Sequence, residues 1–299
     1  MKPIKASTHN SDLAPEEKQR LLDRIQSAPA YKKAYEDTKF MQRRELRPVR
    51  LQLELLKPKM VLAENNIKST VVVFGSARVA PPEQANRELT TAQAKAKADP
   101  SDYDLAQAVN RAQMKMEFSR YYEEARRFAA IISRAQQTDK RLEFVIVTGG
   151  GPGIMEAANR GAYETGCRSI GLNITLPHEQ YPNPFITPEL SFQFHYFALR
   201  KMHFMMRAKA MVAFPGGFGT LDELFETLTL VQTGKKRPIP IVLFGREFWK
   251  RVIDLNYLAE SGMIGWEDTR LITMVEKAEE GWAHIRNFWK EHRASGRMP

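Results

Sequence analysis

The chain has 299 residues, 43% of them hydrophobic, and a formal net charge of +10 at pH 7. This length and composition allow a buried core within one large domain or two modest ones. Cys167 is the single cysteine, which excludes an intrachain disulfide framework and any zinc cluster built from cysteines. The run of roughly 18 apolar residues that a membrane span needs is absent from the sequence.

The charge distribution says more about partners than the net charge does. Residues 1–60 hold 14 Lys and Arg against 8 Asp and Glu, so this segment carries +6 of the total. The basic residues are dispersed, which favours a solvated helical face, and a nucleic-acid partner is not expected. The first residues also lack the apolar centre of a signal peptide, and a cytoplasmic location is therefore predicted.

Helical spacing of leucines dominates the start of the chain. Residues 12–64 are predicted to be helical, with breaks at Pro29, Pro48 and Pro58. We interpret residues 1–67 as an N-terminal helical extension. The remainder, residues 68–299, is predicted to form a Rossmann-like catalytic domain that carries a polar, partly helical insertion at about 79–118.

Short apolar runs alternate with helical patterns through this domain. The predicted strands cover residues 70–74, 143–147, 169–174, 190–197, 210–214 and 239–244. The predicted helices cover residues 121–133, 154–166, 200–209, 220–233, 248–258 and 274–291. Continuous apolar strands between helices are typical of a buried parallel sheet, so the predicted fold is α/β, with a mostly parallel, doubly wound sheet.

Three glycine-containing loops follow predicted strands. They are the GSAR segment Gly75–Arg78, the GGGPG segment Gly149–Gly153 and the PGGFGT segment Pro215–Thr220. Glycine allows close approach of the backbone to an anion, and a helix N-terminus that follows it adds free N–H groups. The pattern therefore predicts a phosphate site where these loops meet.

The loops do not fit the common nucleotide cofactors. Ile154 stands where a dinucleotide fingerprint needs its third glycine, and no acidic residue ends the following strand, which disfavours NAD. The Walker-type loop with its Gly-Lys-Ser/Thr ending is also absent from the sequence. His195 and His203 are too few, and wrongly spaced, for a zinc site with Cys167. We therefore expect neither a cofactor nor a metal.

Two segments together resemble a known family. Gly149-Gly-Gly-Pro-Gly-Ile-Met-Glu156 and Pro215-Gly-Gly-Phe-Gly-Thr-Leu-Asp-Glu223 are similar to the paired motifs of the LONELY GUY family, whose members are often mislabelled lysine decarboxylases. The Arg-Lys pair of that family matches Arg200-Lys201. The resemblance covers roughly residues 68–245, and both the N-terminal extension and the 79–118 insertion lie outside the compact family core.

The resemblance implies an activity and a set of residues. The family hydrolyses the N-glycosidic bond of nucleoside 5′-monophosphates, such as AMP or N6-modified cytokinin riboside monophosphates, to a free base and ribose 5-phosphate. It implies Arg200 and Glu223 as catalytic residues, and a homodimer or larger homo-oligomer. The residues expected to bind substrate and phosphate are Gly75, Ser76, Arg78, Gly150, Gly151, Gly153, Glu156, Lys201, Gly216, Gly217, Gly219 and Thr220.

Simpler interpretations of the same residues remain open at the sequence level. Thr220 and Glu223 have the spacing of a capping box, in which both side chains bond to the free N–H groups of a helix start. Glu156 in a first helical turn favours the helix dipole whether or not it binds a ligand. A non-catalytic nucleotide-binding or sensor module is the alternative function, and nucleic-acid binding through the basic N-terminal arm is a weaker one.

Overall fold

The computed structural model describes residues 13–138, 141–175 and 181–294, and predictions that concern residues 1–12 lie outside this range. The chain divides into two compact units, one ending at Leu53 and the other beginning at Glu54. The predicted extension 1–67 and catalytic domain 68–299 remain predictions. Within the described residues, no helix has both the length and the apolar character required to cross a membrane.

Short helices make up the first unit. Helix α1 spans Pro15–Ser27, helix α2 spans Thr38–Met41, and helix α3, Arg47–Glu64, continues past the end of the unit. The predicted break at Pro29 is confirmed, because α1 ends before it. The predicted break at Pro58 is wrong: this proline lies inside α3 with its ring buried, and burial compensates for the missing backbone hydrogen bond.

The second unit contains strands and helices in alternation. The strands are β1 Thr70–Phe74, β2 Gln137–Thr138, β3 Arg141–Leu142, β4 Val145–Thr148, β5 Ser169–Ile174, β6 Ser191–Phe194, β7 Ala208–Ala213, β8 Ile241–Phe244 and β9 Ile272–Val275. The helices are α4 Pro82–Ala98, α5 Tyr103–Gln136, α6 Ile154–Tyr163, α7 Phe197–Met206, α8 Phe218–Gln232, α9 Arg246–Val252, α10 Leu255–Glu260 and α11 Ala278–Ala294.

Seven strands form one sheet in the order β6-β5-β4-β1-β7-β8-β9, and all of its neighbouring pairs are parallel. From the central β1 the chain builds outward to β6 on one side, then returns to build β7 to β9 on the other. This reversal places a topological switch point beside β1, where ligands of open α/β sheets bind. The predicted α/β fold with a parallel, doubly wound sheet is confirmed.

One face of the sheet is covered by a cluster of buried apolar side chains from α5, α6 and α11. Every residue of β1, β4 and β8 is buried, which explains their continuous apolar sequences. Phe244 of β8 stacks on Phe214 at a centroid distance of 4.3 Å and meets Phe128 of α5 edge-on at 5.5 Å. These aromatic contacts join β8 and α5 to Phe214, which directly precedes the PGGFGT loop.

Three segments differ from prediction. Residues 248–258, predicted as one helix, belong to two, α9 and α10, which are separated at Ile253 and Asp254. The 79–118 insertion forms α4 and the first half of the 34-residue α5, so the helix predicted at 121–133 is the second half of a longer one. Asp102 caps α5 by accepting the Asp104 and Leu105 amides. The predicted helix 274–291 begins too early: Ile272–Val275 pairs with β8 as an edge strand, and α11 starts at Ala278.

Candidate active site

The three glycine loops meet at the carboxyl ends of β4, β1 and β7, which are neighbours in the sheet. The Ser76 amide donates to the Pro215 carbonyl at 3.0 Å, which joins the first loop to the third. The Ile154 amide donates to the Ser76 carbonyl at 3.1 Å, which joins the second loop to the first. The predicted phosphate-binding segments are therefore brought together around Ser76.

Close backbone approach makes glycine necessary at two positions of these loops. Gly153 has a φ of 71°, and a Cβ there would overlap the carbonyl oxygen of Ser76. A Cβ at Gly216 would overlap the hydroxyl of Thr220. Gly217 and Gly219, in contrast, have open space where a Cβ would stand. Both glycines are predicted binding residues, and the space beside each of them is open to a ligand.

Two helices begin at this cluster without side-chain caps. The N-cap of α6 is Gly153 and the N-cap of α8 is Gly217, and neither start receives a side-chain hydrogen bond. Helix starts of this kind present N–H groups and partial positive charge to an anion. The Thr220–Glu223 capping box is therefore wrong, because α8 begins at Phe218 and both residues lie inside the helix. Glu223 has no capping role.

A buried polar network, which sequence reasoning missed, holds the GGGPG loop. Asn159 accepts from the Thr148 hydroxyl at 2.7 Å and donates to the Ser169 hydroxyl at 2.9 Å. The Asn183 side-chain amide donates to the carbonyls of Gly150 and Gly151 and to the Asn159 amide oxygen. Nothing in the local sequence around Asn159 marks it, because its partners come from three separate segments.

We expect Asn159→Ala to lower the free energy of unfolding by about 2–4 kcal/mol, since it leaves several buried polar groups without partners. Urea denaturation measures the change. The matched control is Asn65→Ala, which removes two hydrogen bonds at a half-buried position, to Val61 and Arg168. An Asn159→Ala loss no larger than that of the control would contradict the structural role assigned to the network.

Arg200, a predicted catalytic residue, projects from α7 toward the second loop. Its Nε donates to the Leu172 carbonyl at 2.7 Å and its Nη2 to the Gly149 carbonyl at 3.5 Å. The guanidinium also lies over the Phe204 ring at 5.1 Å. Burial lowers the pKa of Arg200, and the negative charge of Glu223 opposes that effect. The two predicted catalytic side chains therefore interact electrostatically.

Glu223 lies in α8 and is buried. Burial raises its pKa from an ordinary 4.5 to about 7, while Lys201 and Arg200 oppose the rise. At physiological pH a carboxylate with a pKa near neutrality is populated in both its protonated and its ionised form, whereas a surface glutamate is almost entirely ionised. Among the titratable groups of the described residues, Glu223 therefore has the property expected of a general base.

Lys201 is surrounded by acidic side chains from α8. Its Nζ lies 2.7 Å from Asp222, 2.8 Å from Glu226 and 3.7 Å from Glu223. The pKa of Lys201 is raised: hydrogen bonds to Asp222 and Glu226 outweigh the effect of burial. This arrangement places Lys201, a predicted binding residue, as a fixed positive charge beside Glu223.

Two other predicted residues have different surroundings. Glu156 accepts a 2.7 Å hydrogen bond from the Tyr122 hydroxyl of α5, and this bond together with burial raises the pKa of Tyr122. One carboxylate oxygen of Glu156 is thus committed to the fold. Arg78 is exposed, and its amide donates to the Ser76 hydroxyl, which tightens the first loop. Their side chains as ligands remain predictions.

Comparisons with known proteins agree with the family suggested by these residues. The family described as "Possible lysine decarboxylase" matches residues 155–285. The resemblance to the LONELY GUY family is confirmed. A probable cytokinin riboside 5′-monophosphate phosphoribohydrolase of Oryza sativa subsp. japonica is 24% identical over an alignment of 174 positions. The alignment covers 54% of this chain and 77% of that protein.

A second similar protein, a cytokinin riboside 5′-monophosphate phosphoribohydrolase of Arabidopsis thaliana, is 26% identical over an alignment of 156 positions. That alignment covers 51% of this chain and 70% of that protein. Among solved structures, a molybdenum cofactor binding protein of Rippkaea orientalis superposes with a TM-score of 0.41 at 16% identity, over 56% of this chain and 87% of that one. A molybdenum cofactor carrier protein of Chlamydomonas reinhardtii gives 0.43 at 17% identity, over 75% and 99%.

Proposed function

We propose that the protein hydrolyses the N-glycosidic bond of a nucleoside 5′-monophosphate, releasing the free base and ribose 5-phosphate. The observation that carries the proposal is the buried Glu223, with a pKa of about 7, beside three converging glycine loops. The relatives with phosphoribohydrolase names support the same reaction. An anion cradle without a nearby carboxylate would serve binding alone.

The 5′-phosphate would occupy the open helix starts. The amides at the beginning of α6 and α8 supply donors, and the partial positive charge of both helices favours a dianion. The Thr220 hydroxyl and the Ser76 segment close the same cradle from two sides. Phosphate binding fixes the ribose, so its anomeric carbon can be positioned relative to Glu223.

Bond cleavage would develop positive charge on the ribose ring. As the C1′–N bond breaks, its electron pair moves to the base nitrogen and the ring becomes oxocarbenium-like. The ionised Glu223 stabilises that charge and accepts a proton from the attacking water, whose oxygen bonds to C1′. Water thus loses one proton to Glu223, and the departing base gains one proton, so the overall reaction adds one water molecule across the C1′–N bond.

Arg200 would stabilise either the departing base or the phosphate. Its Nε is held by the Leu172 carbonyl and its Nη2 contacts the Gly149 carbonyl, so the planar group has a fixed orientation near the second loop. A guanidinium held by two carbonyls loses little conformational entropy when it binds an anionic group. Its charge also favours the ionised form of Glu223.

Incubation with AMP, other nucleoside monophosphates and N6-modified adenosine monophosphates, followed by chromatography of the free base, tests the proposal. Release of base with at least one monophosphate is expected, and N6-modified adenosine monophosphate is the substrate suggested by the relatives. If AMP binds but no monophosphate yields free base, the proposed hydrolysis is wrong. The protein would then be a non-catalytic nucleotide-binding module.

The pH dependence of kcat/KM follows from the charge on Glu223. Because the ionised carboxylate is the active form, kcat/KM should rise with pH through an apparent pKa near 7. Lys201 lowers the pKa of Glu223. Lys201→Gln should therefore move the acidic limb of the profile, the pH range over which kcat/KM rises, to higher pH. Lys95→Gln, at an exposed position of α4, is the control and should leave the profile in place. An unmoved limb in Lys201→Gln would contradict the assignment of this limb to Glu223.

A further inference from the structure

A cavity of about 1060 Å³ opens at the amino ends of the strands, and no residue of the three glycine loops lines it. It is bordered by the residues that lead into β1, β7 and β8, by the end of α7 and by α11. Its volume is close to the upper limit, about 1,000 Å³, of the clefts that hold small molecules. None of the residues implied by the family motifs lines it except Lys201.

The charge of this cavity is strongly positive. Glu226 is the one acidic residue among those that line it. Six basic residues line it besides Lys201, namely Lys68, Arg207, Lys209, Lys235, Lys236 and Arg237. Lys201 is paired with the carboxylates of α8, and each of the six others adds a positive charge to the lining of the cavity. A concave surface with charge of one sign concentrates ions of the opposite sign.

Two of these lysines, Lys209 and Lys236, are half-buried. Lys236 donates to the Met205 carbonyl at 2.8 Å, and its pKa is lowered by burial and by the neighbouring charge of Lys209. Lys209 lies 4.3 Å from the centroid of the Trp289 ring, and the indole N–H donates to the Lys209 carbonyl. Two half-buried ammonium groups that repel each other are stabilised when an anion lies between them.

The geometry points to a second anion site in this cavity, which binds a small molecule carrying several phosphate groups. Several phosphates match the number of cations better than one does, because each can bond to a different side chain. The concave shape favours a compact ligand over a nucleic-acid duplex. Lys201 lines this cavity and lies 3.7 Å from Glu223, so the two sites adjoin, although binding here does not depend on the proposed function.

Isothermal titration with inorganic tripolyphosphate tests the site. The test variant is Lys68→Gln/Lys235→Gln/Arg237→Gln, which removes three exposed cations of the cavity and leaves the half-buried ones in place. The control, Lys95→Gln/Lys97→Gln/Lys250→Gln, removes the same charge from exposed positions of α4 and α9. Because each exposed cation that pairs with a phosphate contributes roughly threefold to the affinity, the loss of three should weaken binding by about 30-fold.

Wild type and control should bind one tripolyphosphate per cavity with equal affinity, and more tightly than inorganic phosphate. The affinity should fall as salt is added. Equal affinity in the test variant and wild type would overturn the proposal, since the ligand would then be bound at the glycine loops or at no single site. An equal loss in both triple variants would also overturn it, because binding would reflect net charge alone. If duplex DNA at equal phosphate concentration displaces tripolyphosphate, the ligand of this cavity is a nucleic acid and not a small molecule, which would also overturn the proposal.

Discussion

Replacement of Glu223 by glutamine is expected to lower kcat by about 10²–10⁴-fold, the range that a positioned general base contributes. Glutamine keeps the shape of the side chain but can neither carry the negative charge nor accept the proton of the attacking water. Since the proposed phosphate cradle, and not Glu223, would hold the substrate in the ground state, KM should change little. Single-turnover release of base from a monophosphate substrate measures the effect.

Glu226→Gln is the matched control for this variant. Glu226 lies one helical turn further along α8 and forms a 2.8 Å ion pair with Lys201, but it is not the buried carboxylate. Its negative charge raises the pKa of Glu223, so its removal should move the acidic limb of kcat/KM to slightly lower pH. Comparable losses of kcat in both variants would show that Glu223 acts only through Lys201.

The stability of Glu223→Gln separates a catalytic defect from a damaged fold. The pKa of Glu223 is raised from 4.5 to about 7 in the folded protein, so wild-type stability falls as pH rises through this window. The neutral glutamine avoids this loss. The variant should therefore be more stable than wild type by about 1–3 kcal/mol above pH 7, with the difference vanishing near pH 4.5. Thermal unfolding at both pH values measures it.

Replacement of Arg200 by lysine is expected to lower kcat/KM by about 10²–10³-fold, comparable to the loss of one preorganised donor in an enzyme site. Lysine keeps the positive charge but lacks the planar fork that bonds to the Leu172 and Gly149 carbonyls. The loss would therefore come from orientation, and steady-state kinetics with the best monophosphate substrate measures it.

A second substitution at the same position separates charge from geometry. Arg200→Ala also removes the positive charge that lowers the pKa of Glu223, so its acidic limb should move to higher pH, whereas that of Arg200→Lys should not. The control Arg126→Lys breaks a similar two-bond contact, with Glu164, far along α5. It should leave kcat/KM unchanged. Equal activity of Arg200→Lys and wild type would contradict the importance assigned to the planar geometry of the guanidinium.

Much of the fold followed from local patterns. The runs at Thr70–Phe74 and Ile241–Phe244 are almost entirely apolar because both faces of these parallel strands are covered. Edge elements were harder to predict: Ile272–Val275 is only half-buried for most of its length, and its pairing with β8 depends on a neighbour distant in sequence. The helix break predicted at Pro58 was wrong for the same reason, because the sequence does not show which residues pack against the proline ring.

For the candidate site, the sequence by itself determined the parts: three glycine loops after strands, Arg200 with Lys201, and Glu223 at the family interval. These depend on residue types and spacing, which set where the backbone can turn and which groups can carry charge. Only the tertiary structure decided that Glu223 is no cap, that its pKa is about 7, and that Asn159 and Asn183 hold the GGGPG loop. Burial and charge–charge distance arise when segments far apart in the chain pack together, so no local pattern contains them.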